Sequence, residues 1–154
     1  MRTRTILASL AVFFAGFALC FAADPSMGTW KLNDAKSKFS PGATKNTTVV
    51  YAAAGDNVKV TVDGVDKDGK ATHNEWTGKF DGKDYPVVGD PNSDARAYKK
   101  VDDHTLELTV KKGGKVTATG RIVEAADGKS RTVTTSGVDS SGKEMKNMAV
   151  FDKQ

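Results

Sequence analysis

Thr105-Leu106-Glu107-Leu108-Thr109-Val110-Lys111-Lys112-Gly113-Gly114-Lys115-Val116-Thr117-Ala118-Thr119 is the stretch that decides the fold. Leu106, Leu108 and Val110 alternate with Glu107, Thr109 and Lys111, the period of a strand with one buried and one wet face. Gly113-Gly114 then supplies the positive φ angles of a tight hairpin turn, and a second strand-like run follows. The same punctuation recurs at Asp68-Gly69, Asp81-Gly82, Asp127-Gly128 and Ser141-Gly142, and each of the five pairs is followed by lysine. Between the pairs lie alternating runs such as Val58, Val60 and Val62 against Lys59, Thr61 and Asp63.

Working outward, the pattern predicts ten strands, near 28–33, 46–54, 57–65, 71–80, 83–89, 95–101, 105–111, 115–125, 130–138 and 144–152. In the fourth, Trp76 and Phe80 share the inward face and His73 lies on the opposite one. The last three turns repeat every 14 residues, at Gly114, Gly128 and Gly142, which is a regular strand length rather than a solenoid repeat. The fold class is therefore all-β: an antiparallel up-and-down meander of eight to ten strands. Closure into a barrel removes its two exposed edges, and an open two-sheet sandwich is the alternative. The longest connection, 34–45, contains Ser40-Pro41-Gly42, and no amphipathic helix follows the leader.

Residues 1–22 read as a secretory signal peptide, with Arg2 and Arg4 before the apolar run Ile6 to Phe21 and small residues at Cys20 and Ala22. The run is short for a membrane span. Leu19, not a small residue, precedes Cys20, which argues against a lipid anchor there. The expectation is a periplasmic or secreted protein, residues 23–154, forming one domain without cysteine and therefore without disulfides. Removing Arg2 and Arg4 lowers the net charge from +4 to +2. The charges are interspersed, so nucleic acid is not an expected partner. Beyond the leader, Leu32, Leu106 and Leu108 are the only leucines and Ile122 the only isoleucine, while valine and threonine abound. That composition suits a pleated, half-buried surface and not a helical bundle.

Gly28-Thr29-Trp30-Lys31-Leu32 resembles the Gly-x-Trp opening of the lipocalin and fatty-acid-binding-protein superfamily, the calycins. The resemblance implies an up-and-down barrel in which Trp30 closes one end. It also implies an arginine stacked on that tryptophan. The last strand has none, so Arg121 and Arg131 are both open for the role. The interval broken by Pro41-Gly42 departs from the two-helix lid of fatty-acid-binding proteins. Asp81-Gly82-Lys83-Asp84-Tyr85-Pro86-Val87 and the ending Phe151-Asp152-Lys153-Gln154 resemble an uncharacterised group of small secreted bacterial proteins. Trp30-Lys31-Leu32-Asn33 with Ser37-Lys38-Phe39 resembles the opening of periplasmic polyisoprenoid-binding barrels, with Asn33 and Lys36 where those have Asp and His.

Chemistry-bearing constellations are few. His73 and His104 are far apart and no cysteine follows the leader, so a zinc site is not expected. No Gly-x-Ser-x-Gly elbow accompanies Asp102-Asp103-His104, which reads as a polar turn. Asp63, Asp66, Asp68-Gly69 and Glu75 mimic a calcium loop, but Gly64 falls at its first position and strands flank it. Asn46-Thr47-Thr48 matches a glycosylation acceptor by chance. The aromatics remain: Trp76, Phe80, Tyr85 and Tyr98, with Tyr51 beside them, are candidates for a ligand-binding cavity mouth, against plain core packing. Arg121 is a ligand-pairing candidate if its face is interior, although the parity of Val116, Ala118, Gly120 and Ile122, read as inward, favours the outside for it. The expected function is non-catalytic binding of a small apolar or amphipathic ligand by a monomer that needs no cofactor or metal. The alternative is a secreted interaction or inhibitor module with a filled core.

Overall fold

The computed structural model describes residues 24–139 and 141–154, so the expected signal peptide and Cys20 lie outside the described residues. Ten strands form one sheet: β1 Gly28–Leu32, β2 Lys45–Ala54, β3 Asn57–Val65, β4 Ala71–Gly78, β5 Tyr85–Val88, β6 Ala95–Asp102, β7 Thr105–Lys112, β8 Lys115–Glu124, β9 Ser130–Val138 and β10 Glu144–Lys153. Each pairs antiparallel with its neighbours in sequence, and β1 closes on β10 through Trp30↔Lys153, Lys31↔Asp152 and Leu32↔Phe151. The result is the closed meander, not the open sandwich. A single 3₁₀ turn, Asp34–Lys36, stands in the β1–β2 connection. Among the described residues no helix is long and apolar enough to cross a membrane.

The turns sort by backbone chemistry. Gly113 and Gly114 have φ of 57° and 75°, both positive, as a two-residue turn of mirror type demands. The Asp-Gly turns differ from the expected two-residue form, because among the described residues none other than glycine takes a positive φ. At 66–70 the loop is longer. Asp66 N–H donates to the Lys70 carbonyl at 2.9 Å, Gly69 N–H donates to the Asp66 carbonyl at 3.1 Å, and the Asp66 carboxylate accepts from the N–H groups of Asp68 and Lys70. Asp139 makes the same contacts with Gly142, Ser141 and Lys143. In both turns an aspartate three residues before the glycine thus satisfies the turn and spares a second positive φ.

Two strand boundaries correct the sequence reading. The fourth strand stops at Gly78 and not at Phe80, and the fifth is four residues long. A Cβ on Gly78 would stand 2.5 Å from the Tyr85 ring, so only glycine lets that ring close over Trp76. Asp81-Gly82 is correspondingly no hairpin. Gly82 N–H donates to the Tyr98 carbonyl and Lys100 N–H to the Phe80 carbonyl, so residues 80–82 cover β6 where β5 is too short to reach. In the β7–β8 pair a bulge sets Lys111 opposite Val116, which turns Val116 outward and leaves it 54% exposed.

A core of Trp30, Val49, Tyr51, Val60, Val62, Trp76, Tyr98, Leu106, Ile122, Ala149 and Phe151 fills the barrel axis. One end carries the β2–β3, β4–β5, β6–β7 and β8–β9 connections and residues 24–27. The other carries the β1–β2, β3–β4, β5–β6, β7–β8 and β9–β10 connections.

Candidate binding site in the barrel interior

The end nearest residues 24–27 is sealed from the sequence up. Trp30, fully buried, donates its indole N–H to the Ser26 carbonyl at 2.9 Å, and Lys153 Nζ donates to the Pro25 carbonyl at 2.9 Å. Lys100 holds Asp24 at 3.1 Å. Burial raises the Asp24 carboxyl, but hydrogen bonds from Ser26 and Lys100 outweigh it and hold the group below its ordinary value.

Arg131 enters this end from β9 on the same face as Val133. Its guanidinium carbon lies 4.5 Å from the Trp30 ring, 4.6 Å from Tyr51 and 5.4 Å from Phe151. Of the two arginines left open above, Arg131 therefore stacks on the first-strand tryptophan, while Arg121 is exposed on the outside. The three ring faces stabilise the buried cation, yet Arg131 Nε and Nη1 have no hydrogen-bond partner. Nor does Oε2 of buried Glu124, opposite Arg131 in the β8–β9 register. Burial pushes the Glu124 carboxyl above its ordinary value, against the pull of Ser26 and Arg131.

Above this seal the candidate aromatics come together. Trp76 lies 4.7 Å from Tyr98 and 5.7 Å from Tyr85, both edge-on, and stacks with Phe80 at 6.3 Å. Tyr51 joins through Phe80 and Tyr98 at 6.3 and 6.4 Å. The rings pack against each other, with Trp76 and Tyr98 buried and Phe80 and Tyr85 half-buried. Trp76 donates its indole N–H to the Arg96 carbonyl at 2.8 Å. Desolvation drives the Tyr51 phenol far above its usual range, although Arg131 opposes the shift.

Arg96, on the face of Tyr98, is a second interior cation, and the sequence reading did not single it out. Its side chain is 10% exposed. Nη2 lies 3.4 Å from Asn74 Oδ1 and 3.6 Å from Asp90 Oδ2, and Nε has no partner. Burial opposes its charge, but Tyr98 and Asp90 outweigh that and keep it charged. The signal that could have found it was parity with Tyr98 in Arg96-Ala97-Tyr98.

The opposite wall is lean. On β7 to β10 the inward residues toward the second end are Leu108, Val110, Ala118, Gly120, Val133, Thr135, Gly137, Met145 and Asn147, all half-buried. Around the barrel Arg96 stands level with Val110, Ala118, Gly137 and Met145 by register. Two open grooves are present. One of about 540 Å³ lies at the end away from Trp30, between the β1–β2 connection and the β3–β4 turn past Phe39 and Lys45. The other, about 390 Å³, crosses β7 to β9 past Arg121 and Thr134. The histidines lie outside as well. His73 Nδ1 is 2.6 Å from Asp63 Oδ1, and His104 is exposed in the β6–β7 turn.

No protein-family model and no curated protein matches the chain. Among solved structures it is similar to EF1p2_mFAP2b bound to DFHBI, with a TM-score of 0.52 and 11% identity over 86% of this chain and 97% of that one. It also aligns with mFAP1, a redesigned β-barrel bound to DFHBI, with a TM-score of 0.48 and 15% identity over 86% of this chain and 98% of that one. At such identity the first likeness is one of fold, and it agrees with the ring of strands described above: a closed barrel of ten antiparallel strands.

Proposed function

We propose that the protein is a non-catalytic carrier of a small apolar or amphipathic ligand, exported by the leader at 1–22 and acting as a monomer in the periplasm or outside the cell. The observation that carries this reading is the unequal size and burial of the inward side chains around the barrel. Inward positions of β7 to β10 keep partial exposure at the end away from Trp30, while the other end is sealed. Ligand apolar surface buried on that lean wall would contribute about 25 cal/mol per Å² before the entropic cost of binding. The aromatic group Trp76, Phe80, Tyr85 and Tyr98 forms the wall that such a ligand faces. EF1p2_mFAP2b, whose fold is similar, is bound to DFHBI and supports ligand binding by such a fold. The reading needs no catalytic step, and His104 is not at the centre of a buried polar cluster.

A second reading, an interaction or inhibitor module, draws support from the open groove across β7 to β9 on the outside of the barrel. Native mass spectrometry of the protein purified gently from cells expressing the full chain separates the two. A reproducible extra mass, lost on denaturation and lost in Val110→Trp, is the outcome expected of a carrier. A bare mass with no uptake of fatty-acid or isoprenoid probes would overturn it in favour of the module.

A further inference from the structure

Glu124 on β8 and Arg131 on β9 are opposite in register at the sealed end, both buried, and neither satisfies the other. Glu124 Oε2, Arg131 Nε and Arg131 Nη1 all lack a hydrogen-bond partner. Such groups are costly to bury unpaired. The carboxyl's other neighbour is the strap 24–27. That strap is tied to β1 through the Trp30 indole on the Ser26 carbonyl, to β10 through Lys153 on the Pro25 carbonyl, and to β6 through Lys100 on Asp24. Ser26, itself buried, turns its side chain toward the Glu124 carboxyl. The charged groups acting on that carboxyl are Arg131 from β9, Lys153 from β10 and Asp24 from the strap. His104, in the β6–β7 turn, accepts from Glu124 N–H through its carbonyl at 2.8 Å and is exposed.

We propose that the strap is a proton-controlled latch. Protonated Glu124 holds Ser26 and keeps the sealed end shut; ionised Glu124, its proton lost to solvent, turns to the free nitrogens of Arg131 and lets the strap lift from Trp30. The latch works whether or not a ligand is carried. A protonated carboxyl brings its own donor, whereas a carboxylate only accepts and must find donors when buried. Arg131 offers the nearest unused ones. Burial raises the Glu124 value, so its hold is complete below 4.5 and is lost as pH climbs through the raised value. Asp24 acts in the opposite sense. Hydrogen bonds from Ser26 and Lys100 hold its value down, so its tie to β6 is complete above 3.8 and is lost as pH falls through the lowered value. The end is therefore shut most firmly between 3.8 and 4.5.

The test is hydrogen exchange of the purified protein, followed by NMR from acid to mildly alkaline pH, with each rate divided by its intrinsic value. Met27 N–H, which donates to the Asp24 carbonyl at 2.9 Å, and the Trp30 indole N–H report the strap. The Trp76 indole N–H, bound to the Arg96 carbonyl, reports the rest of the barrel. Protection of the first two should peak between 3.8 and 4.5 and fall roughly tenfold or more toward neutral pH, while that of Trp76 holds. Glu124→Gln should abolish the fall toward neutral pH and keep the one at acid pH. Asp24→Asn should remove the acid fall and keep the other, which tests the assignment even if Glu124→Gln fails to fold. A flat profile at Met27 and Trp30, a fall shared by Trp76, or a fall toward neutral pH that survives Glu124→Gln or disappears in Asp24→Asn would overturn the latch.

Discussion

The two halves of the barrel wall are built on one pattern and filled differently. Strands β2 to β6 with the β4–β5 connection point Tyr51, Trp76, Phe80, Tyr85 and Tyr98 inward, and these rings occupy each other's space. Strands β7 to β10 point inward Val110, Ala118, Gly120, Thr135 and Gly137, none larger than valine, among longer neighbours such as Leu108 and Met145. Both walls alternate with period two, so alternation alone says which residues face in and nothing about how much room they leave. Side-chain volume bears on that, and it is unevenly distributed along the chain, with the rings on β2 to β6 and the small residues on β7 to β10.

The sharpest break of this comparison is Trp76→Ala. Removing a buried ring that touches three others should cost about 3–5 kcal/mol, read as a fall in the urea midpoint. A loss below about 1 kcal/mol would mean that the aromatic wall is not packed as described.

Arg131 tests the sealed end. Arg131→Ala removes a cation enclosed by three rings together with its packing stem and should cost about 2–4 kcal/mol. Arg131→Met keeps the stem's volume and should cost distinctly less, because two of the lost nitrogens had no hydrogen-bond partner. Equal losses would place the whole effect in the charge.

Glu124 predicts a pH signature at the same end. Burial raises its folded-state value above the ordinary 4.5. Its contribution is therefore fully present below 4.5 and is lost as pH climbs through the raised value. The Tm advantage of Glu124→Gln over the wild type should grow with pH above 4.5. The lowered carboxyls Asp24, Asp81, Asp102, Asp139 and Glu75 act with the opposite sign, losing stability as pH falls below their ordinary values, and both proteins share them. A Tm difference that stays constant across pH would contradict the assignment.

The smallest stability change should come from the lean wall. Val110→Trp fills space at a half-buried inward position and should shift stability by no more than about 1 kcal/mol, while it abolishes ligand uptake. A large destabilisation there would show that the lean wall is already full.

Much of this was legible beforehand. The ten strands, their order and the faces of Trp76, His73 and Arg121 follow from alternation and turn chemistry, because both act within a few residues. The strand boundary at Phe80 was not legible, because it depends on the Tyr85 ring closing over Gly78 from across the connection. Val116 reads as inward until the bulge opposite Lys111 shifts it. The interior arginines were hardest. Arg131 shares the face of Val133 and Arg96 that of Tyr98, but an arginine in a strand is usually solvated. Only closure of the barrel brings Trp30, Tyr51 and Phe151 around one, and Asn74 and Asp90 near the other.

The central claim, a lean wall open at the end away from Trp30, is tested most directly by a two-dimensional NMR titration of the labelled protein with dodecanoate. Shifts should concentrate at Leu108, Val110, Val133, Thr135 and Met145 and spare Trp30 and Arg131. Shifts confined to Arg121 and Thr134 on the outer face would contradict it.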